Sequence, residues 1–289
     1  MVLEVRCTLP SSLRLSILTP CTAIFTGVNP AYTVHELVHH LQLTKPKLFI
    51  VESQVLEPSL AAAAEAGIDK SKILAFDVIA ANTNEDIRSW NELLKHGEKD
   101  WIAVVDPAKT VAQYASTSGT SGLPKAALLP HNYHVSQASF LLSSDDLPYK
   151  VRRLTALPPF HVFATPIVPA SVRQGNTTYI MRRFDMETFI EYMEKFGISE
   201  TYLPPPVMVG LPQNPHCTRE ALQSLRQIWF GGASLKYSNR LPLYALLHED
   251  AKIQPVWGMT EAGWITAGIW PEKHTDDSVG RPLPGYHVK

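Results

Sequence analysis

The stretch YASTSGTSGLPKAALLPHN, residues 114–132, combines short hydroxyl side chains with two glycines and closes with a proline and a lysine. Serine, threonine and glycine together supply many hydrogen-bond donors with almost no bulk, which suits a loop that wraps an anion. A strand pattern precedes the loop and a helix pattern follows it, which argues against a flexible Ser/Gly linker. The sequence therefore predicts a polyphosphate-binding loop held between regular elements.

Two common loop motifs do not describe this stretch. A Walker A loop requires glycine directly before the lysine, whereas Leu123 and Pro124 separate Gly122 from Lys125. A G-x-S-x-G nucleophile elbow requires a serine centred between two glycines, and that spacing does not occur here. The loop therefore belongs to another class of anion-binding motif.

The segments before the loop alternate between helix and strand patterns. Thr33 and Glu36 form a capping-box pattern at the start of an amphipathic helix, and Gly67 closes a second helix. The four candidate elements are a helix at 33–42, a strand at 47–52, a helix at 58–67 and a strand at 71–77. Such alternation indicates parallel βα units.

The same alternation continues after the loop. Helices are expected at 130–143 and 185–197, and strands at 153–157, 176–181, 200–203, 225–230 and 251–257. Pro204 to Pro206 predict a turn after one of these strands. The fold class is therefore α/β.

Composition excludes several functions. The chain has 289 residues, a formal charge of −1 and a pI near 6.8, so no net field draws it to nucleic acid or an anionic membrane. Cys7, Cys21 and Cys217 are too widely spaced for a disulfide framework or a cysteine metal site, which favours a reducing compartment. No apolar run approaches the roughly 20 residues that a membrane-spanning helix needs. The apolar run LRLSIL, residues 13–18, is too short to predict a secretion signal.

The segment STSGTSGLPK, residues 116–125, resembles the phosphate-binding signature of the adenylate-forming superfamily. That superfamily includes acyl-CoA ligases, luciferases and the adenylation domains of nonribosomal peptide synthetases. The resemblance implies that Lys125 places a positive charge on the phosphates of ATP. The residues that it assigns to ATP binding here are Ser116, Thr117, Ser118, Gly119, Thr120, Ser121, Gly122 and Lys125.

A second motif, VWGMTEAG at 256–263, resembles the superfamily segment in which an aromatic ring stacks on adenine. The resemblance assigns adenine stacking to Trp257, phosphate contact to Thr260 and a magnesium ligand to Glu261, and Lys125, Thr260 and Glu261 are the expected catalytic residues. Gly258 and Met259 belong to the same nucleotide-binding segment. Taken alone, this motif would favour the interpretation of Glu261 as an ordinary exposed glutamate at a helix start.

Two segments between these motifs, LPPFHVFA at 157–164 and FGGASL at 230–235, resemble the superfamily's acyl-pocket motif and its adenine-side glycine turn. The resemblance implies that His161 orients the substrate carboxylate and that Phe163 and Met259 line an apolar acyl pocket. The glycine turn, in which the backbone approaches the adenine, comprises Gly231, Gly232 and Ala233. In isolation, His161 is more often a buried core histidine.

The similarity extends to DSVGRPLPGYHVK at 277–289, and IMRRFD at 180–185 is most like the coumarate-CoA ligase branch. In that branch the basic residue at the position of Arg183 meets coenzyme A.

The implied reaction uses ATP, Mg²⁺ and coenzyme A to convert a small aryl or fatty carboxylic acid into its thioester, as in secondary metabolism. An intracellular location follows, in the cytoplasm or, for some members, the peroxisome, although YHVK at the C-terminus is no peroxisomal signal.

The sequence also departs from the superfamily pattern. Ser121, Ala126, Pro255 and Val256 replace residues common in the superfamily. Residues 1–26 are an atypical N-terminal segment, and 27–289 correspond to part of the large AMP-binding domain. The ribose-binding aspartate, the hinge and the small C-terminal domain with its catalytic lysine are expected beyond Lys289. The resemblance thus leaves two alternatives. The first is a ligase of reduced competence, with a complementing C-terminal domain or a downstream synthase as its partner. The second is an adenylate-binding remnant without turnover.

One competing motif is HELVH at 35–39, which matches the H-E-x-x-H pattern of zinc hydrolases. In that pattern His35 and His39 bind zinc and Glu36 activates water. Glu36, however, already has a capping partner in Thr33, and nothing marks Glu57 as a third ligand. A zinc metallohydrolase is therefore the weaker alternative.

Overall fold

A computed structural model describes the backbone of residues 2–5 and all atoms of residues 23–76, 86–97, 104, 106–117, 123–140 and 146–289. The chain divides into two compact units. Ser16–His131 form one, which we call the small unit, whereas Met1–Leu15 and Asn132–Lys289 form the other, the large unit. Each unit is an α/β assembly, as the sequence predicts.

The described residues of the small unit form two short sheets and two α-helices. One sheet has the order β2-β5-β6, with β2 parallel to β5 and β5 antiparallel to β6, and the other is the parallel pair β3-β4. The elements are β2 (Phe25–Thr26), α1 (Val34–Thr44), β3 (Phe49–Glu52), α2 (Leu56–Glu65), β4 (Ile73–Phe76), β5 (Val111–Thr117) and β6 (Lys125–Pro130). Their core is aliphatic and includes Leu37, Leu41, Val51, Ala62, Ala63 and Ile73.

Helix α1 begins where the capping pattern predicts. The Thr33 hydroxyl accepts a hydrogen bond from the Glu36 backbone N–H, and the Glu36 carboxylate accepts one from the Thr33 backbone N–H at 2.8 Å. These bonds pair donors that a helix N-terminus otherwise leaves free. Gly67, with φ of +74°, follows α2 and lets the chain turn there, as predicted.

The large unit is built on one eight-stranded sheet of order β1-β8-β7-β9-β10-β11-β12-β13. The pairs from β8 to β11 are parallel, whereas β1 with β8, β11 with β12 and β12 with β13 are antiparallel. The strands are β1 (Val2–Val5), β7 (Arg152–Thr155), β8 (Thr177–Met181), β9 (Glu200–Leu203), β10 (Gln227–Phe230), β11 (Lys252–Met259), β12 (Gly263–Ala267) and β13 (Arg281–Pro282).

Helices pack beside this sheet and close its core. They are α3 (His131–Phe140), α4 (Ile167–Gln174), α5 (Met186–Lys195), α6 (Pro205–Gly210), α7 (Arg219–Leu222) and α8 (Leu241–Tyr244). The larger core cluster contains Phe189, Met193, Leu203, Met208 and Ile228, all nearly inaccessible to solvent. A second cluster is rich in aromatic rings and contains Phe163, one of the predicted site residues.

A buried ion pair lies in the parallel part of the sheet. Arg153 Nε donates to Glu200 Oε2 at 2.8 Å, and the two side chains are 2% and 0% exposed. The Tyr149 hydroxyl donates to the other Glu200 oxygen at 3.0 Å, and Ser171 accepts from the guanidinium at 2.8 Å. The pair therefore has the additional hydrogen bonds that buried charges require.

The predicted parallel strands and helices are confirmed, with boundaries that shift by a few residues. One expectation is wrong: Pro204 to Pro206 do not form only a turn, because Pro205 occupies the first position of helix α6. Proline is well tolerated there, since that position has no intrahelical partner for its N–H. Among the described residues no helix has both the length and the apolar character needed to span a bilayer.

Candidate functional site

The base of the predicted phosphate loop is a β-hairpin in the small unit. Strands β5 and β6 are antiparallel, and their register pairs Thr117 with Lys125 and Ser116 with Ala126. Lys125 is exposed, while Ser116 and Thr117 are half-buried. The tip of the loop, which comprises Ser118, Gly119, Thr120, Ser121 and Gly122, lies outside the described residues.

Helix α1 contacts both ends of this loop through adjacent histidines. His40 Nδ1 lies 3.1 Å from Ser116 Oγ, and His39 Nε2 lies 2.8 Å from the Pro124 carbonyl oxygen. His40 is 4% exposed, and burial, with the charge of His39 as a second cause, lowers its pKa. The sequence reasoning missed this role of the two histidines.

The H-E-x-x-H residues have other partners in this fold. The hydrogen bonds from Thr33 hold the Glu36 carboxylate at the helix cap and lower the pKa of Glu36. His39 is bonded to the loop, and His35 is exposed on α1. Within the ranges that the structure describes, no group of three or more His, Cys, Asp or Glu side chains is arranged to hold a metal ion.

In the large unit, the predicted acyl-pocket segment forms a tight turn before α4. The His161 backbone N–H donates to the Pro158 carbonyl at 3.0 Å, and His161 Nδ1 accepts from the Phe163 N–H at 3.3 Å. Surrounding protein atoms partly desolvate the imidazole and lower the pKa of His161, although much of the residue stays solvent exposed. When Nδ1 accepts this bond, the imidazole proton lies on Nε2, which is the remaining polar atom of the ring.

Three of the predicted motifs meet at Gly231. A Cβ atom at this position would lie 2.8 Å from the Val256 carbonyl oxygen and 3.3 Å from the Phe163 ring. Only glycine lets the chain after β10 pass this close to both. Gly232, with φ of +88°, then turns the exposed segment that contains Ala233.

Phe163 belongs to the aromatic cluster of the large unit. Its ring lies 5.7 Å from the Trp264 ring and 6.3 Å from the Tyr202 ring, measured between centroids, and it is 6% exposed. Trp264 Nε1 donates to the Phe163 carbonyl at 3.3 Å. Tyr202 in turn stacks on Trp229 at 5.0 Å with nearly parallel planes. The predicted acyl-pocket phenylalanine is therefore anchored within the core.

The segment VWGMTEAG forms the end of β11 and the turn into β12. Trp257 and Met259 are 45% and 48% exposed, so both side chains are open to a ligand. The ladder shifts register between Trp257 and Gly258, and a Cβ at Gly258 would collide with the Gly263 backbone. Glu261 lies exposed in the hairpin turn, so the alternative interpretation of a helix start is wrong.

Side chains of α3 hold this hairpin turn, which the sequence reasoning did not predict. Gln137 Oε1 accepts from the Trp264 N–H at 2.7 Å, and the Tyr133 hydroxyl donates to the Thr260 carbonyl at 3.3 Å. The Tyr286 hydroxyl donates to the Ala262 carbonyl and accepts from Gln137 Nε2 at 3.2 Å. The signal in the sequence was the i, i+4 spacing of Tyr133 and Gln137, which places both on one helix face.

The Glu261 carboxylate makes no ion pair with the described part of the chain. It lies near Tyr133, whose pKa is raised by burial and, to a smaller extent, by the charges of Tyr286 and Glu261. A single exposed carboxylate on a rigid turn suits Mg²⁺, which usually binds through one or two carboxylates plus substrate phosphates. Arg183 lies exposed in the segment between β8 and α5.

Comparisons with known proteins agree with these motifs. Residues 21–289 match the model of the family described as AMP-binding enzyme. An acyl-CoA ligase and a phenylacetyl-CoA ligase, both from Aspergillus niger, are each 36% identical to this chain over 279 residues. Each alignment covers 92% of the chain, and the chain spans about half the length of these curated relatives, 52% and 51%.

Solved structures show the same fold. The crystal structure of an anthranilate CoA ligase in complex with anthranoyl-AMP superposes with a TM-score of 0.79 at 17% identity. The superposition covers 92% of this chain and 51% of that protein.

Proposed function

Since the chain belongs to the family of AMP-binding enzymes, we propose that it binds ATP and activates a carboxylic acid as an acyl-adenylate for transfer to coenzyme A. In this reaction a carboxylate oxygen attacks the α-phosphorus of ATP, the bond to the β-phosphate bridging oxygen breaks, and pyrophosphate leaves. The thiol sulfur of coenzyme A then attacks the acyl carbon, loses its proton, and displaces AMP. The proposed product is an acyl-CoA thioester.

One observation carries this proposal: the convergence of three motif segments on Gly231. The close approach of Gly231 to the Val256 carbonyl and the Phe163 ring brings the adenine-side turn next to the segment of His161 and the strand of Trp257. An enzyme that joins an acid to a nucleotide needs groups for both reactants within reach of one another. The large unit supplies such groups at adjoining strand ends.

In this proposal the residues act as follows. Lys125 and the loop before it neutralise phosphate charge, and Thr260 adds a hydroxyl contact. Trp257 provides an exposed aromatic face for adenine. Glu261 is the residue that would hold Mg²⁺, which when bound supplies charge neutralisation at the phosphates.

The proposed substrate is a small acid with an apolar aryl or fatty acyl group. His161 is suited to orient the carboxylate, because its Nε2 remains available for a hydrogen bond. Met259 supplies exposed apolar surface for the acyl group, and the buried ring of Phe163, next to Gly231, is its proposed inner wall. Arg183 is an exposed cation for the phosphates of coenzyme A. We assign residues 27–289 to the large domain of the family. Since ATP and coenzyme A are intracellular metabolites, we also propose an intracellular location.

The test is pyrophosphate release with a panel of aryl and fatty acids, together with equilibrium binding of ATP. The assay is run on this chain alone and after addition of the C-terminal domain of a related ligase, because the chain spans about half the length of its relatives. Acid-dependent pyrophosphate release in either arm supports the proposal. Binding of ATP without release in both arms would leave an adenylate-binding protein, and absence of ATP binding would refute the proposal entirely.

A further inference from the structure

Two adjacent histidines of α1 contact the two ends of the phosphate loop. Ser116 is the last but one residue of β5, and His40 Nδ1 lies 3.1 Å from its hydroxyl. Pro124 directly precedes β6, and His39 Nε2 lies 2.8 Å from its carbonyl oxygen. Neither histidine belongs to the loop motif. His40 is 76 positions from Ser116 in the sequence, and His39 is 85 positions from Pro124.

The direction of each hydrogen bond follows from the available protons. A carbonyl oxygen only accepts, so His39 must carry its proton on Nε2 to donate to Pro124. Thr26 has one hydroxyl proton, which it donates to the Tyr114 carbonyl at 3.0 Å. Its oxygen, 3.1 Å from His40 Nε2, therefore accepts a hydrogen bond from the N–H at that nitrogen.

The tautomer of His40 then fixes the role of Ser116. A neutral imidazole has one N–H, and when Nε2 carries it, Nδ1 can only accept. The Ser116 hydroxyl, which has a single proton, must therefore donate its hydrogen bond to His40. Burial of His40 at 4% exposure favours this neutral form, and the Thr44 hydroxyl, which donates to the His40 carbonyl at 2.8 Å, fixes the backbone beneath it.

We propose that His39 and His40 are positioning residues that hold the two ends of the phosphate loop. In this proposal the Ser116 hydroxyl donates its hydrogen bond to His40 rather than to a phosphate of ATP. The part of this proposal that concerns ATP rests on the proposed function. A phosphate oxygen accepts hydrogen bonds, so a serine whose proton is already committed cannot donate to it. Among the described residues of the loop, phosphate binding is left to Thr117 and Lys125.

Nitrogen NMR of ¹⁵N-histidine-labelled protein tests the hydrogen-bond directions without any ligand. The chain has 11 histidines, and the His40 signals are assigned as those lost in His40→Asn. At a pH well above the ordinary histidine pKa, we expect His40 with a protonated Nε2 and a bare Nδ1. A protonated Nδ1 would overturn the proposal, whether or not the protein binds ATP.

The same spectra recorded with ATP test the role of Ser116. We expect the His40 tautomer to persist at saturation, because the Ser116 proton stays with Nδ1. A change to a protonated Nδ1 in the complex would show that Ser116 turns its proton towards the ligand, and would refute the assignment. Failure of the wild-type protein to bind ATP would refute the proposed function, whereas the ligand-free spectra would still decide the tautomer.

The ATP affinity of variants at His40 and His39 measures how much each histidine contact contributes to the loop. His40→Leu removes the acceptor for Ser116 together with the bond to Thr26. It should weaken ATP binding roughly three- to tenfold, since lost hydrogen bonds of this kind are worth about 0.5 to 1.5 kcal/mol. His40→Asn places a side-chain oxygen near the position of Nδ1 and should recover most of the affinity. His39→Leu should also weaken binding, whereas His39→Gln retains a donor for Pro124 and should not.

A double-mutant cycle of Ser116 and His40 distinguishes a positioning role of His40 from a general loss of folding. Ser116→Ala should weaken binding, and adding it to His40→Leu should weaken binding little further, because His40→Leu already removes the bond from Ser116. His96→Leu, at an exposed histidine of the same unit, is the matched control and should bind ATP like the wild type. Additive losses for Ser116→Ala and His40→Leu, or no recovery in a folded His40→Asn, would contradict the proposal.

Discussion

The Gln137 side-chain oxygen accepts a hydrogen bond from the Trp264 backbone N–H at 2.7 Å, so helix α3 fixes the first residues of β12. The same amide donates to the Tyr286 hydroxyl at 3.2 Å and lies 3.4 Å from the Ala262 carbonyl. Gln137 is 2% exposed. One buried amide thus satisfies backbone groups at the turn that presents Glu261.

Replacing Gln137 with leucine should therefore destabilise the protein. The Trp264 N–H would lose its partner in a buried environment, at a cost of about 1 to 3 kcal/mol in unfolding free energy. Urea denaturation measures the change, with Gln223→Leu at an exposed position as the matched control. Equal stability of both variants would show that the Gln137 contacts do not support the hairpin turn.

Gly231→Ala should destabilise the large unit and weaken ligand binding. The added Cβ would approach the Val256 carbonyl to 2.8 Å and the Phe163 ring to 3.3 Å, so backbone or ring must shift. Overpacking of this kind costs about 1 to 3 kcal/mol. The control is Gly210→Ala, where the Cβ meets only the flexible end of Met186 at 3.3 Å. Thermal unfolding and ATP titration of both variants provide the comparison.

Lys125→Ala should weaken ATP binding while leaving the fold intact. Lys125 is exposed at the start of β6, so its removal creates no cavity. The loss should be about 1.5 to 3 kcal/mol, as for a charged hydrogen bond, or roughly ten- to hundredfold in dissociation constant. Isothermal titration calorimetry measures it, and Lys47→Ala removes an exposed lysine of the same unit as a control. An unchanged dissociation constant would exclude Lys125 from ATP binding.

Glu200→Gln should be among the most destabilising single changes in the sheet. It leaves the Arg153 guanidinium, 2% exposed, without its counter-charge, at a cost of about 3 to 5 kcal/mol. Glu191→Gln breaks an exposed pair with Lys195 and should change stability by no more than about 0.5 kcal/mol. Chemical denaturation of both variants tests the contrast, which a similar loss in each would contradict.

Stability should fall as the pH drops below about 6.5, the ordinary histidine value. Because burial lowers the pKa of His40, the unfolded chain binds more protons than the folded chain between the folded and unfolded pKa values. The free energy of unfolding therefore decreases as the pH falls through that window. In His40→Asn this slope should be smaller, as measured by denaturation from pH about 8 to pH about 5. A slope unchanged by the substitution would show that His40 does not titrate differently on folding.

Local sequence patterns predicted much of this fold. The start of α1 depends only on Thr33 and Glu36, which are three residues apart, so the sequence shows both partners of the cap. The buried parallel strands are similarly marked by short apolar runs. The helical start at Pro205 was missed because proline-rich segments favour turns and helix N-termini alike.

The residues that support the candidate site could not be predicted in this way. Gln137 and Trp264 are 127 positions apart, and His40 and Ser116 are 76 apart. Their pairing depends on tertiary packing. The spacing of Tyr133 and Gln137 shows a shared helix face but not its partner, and His40 does not stand out from the other polar residues of α1. The motif residues themselves were visible because several chemical roles occur within a few consecutive positions.

The contrast in exposure between Trp257 and two buried indoles of the large unit provides an intrinsic optical probe. Trp229 and Trp264 are 6% and 3% exposed, whereas Trp257 is 45% exposed at the proposed adenine position. Emission from the two buried indoles should shift to longer wavelength only on unfolding, while Trp257 should respond to a stacked base in the native state. Fluorescence can thus distinguish ligand binding from loss of structure without a label, with Trp257→Phe identifying the responsive component.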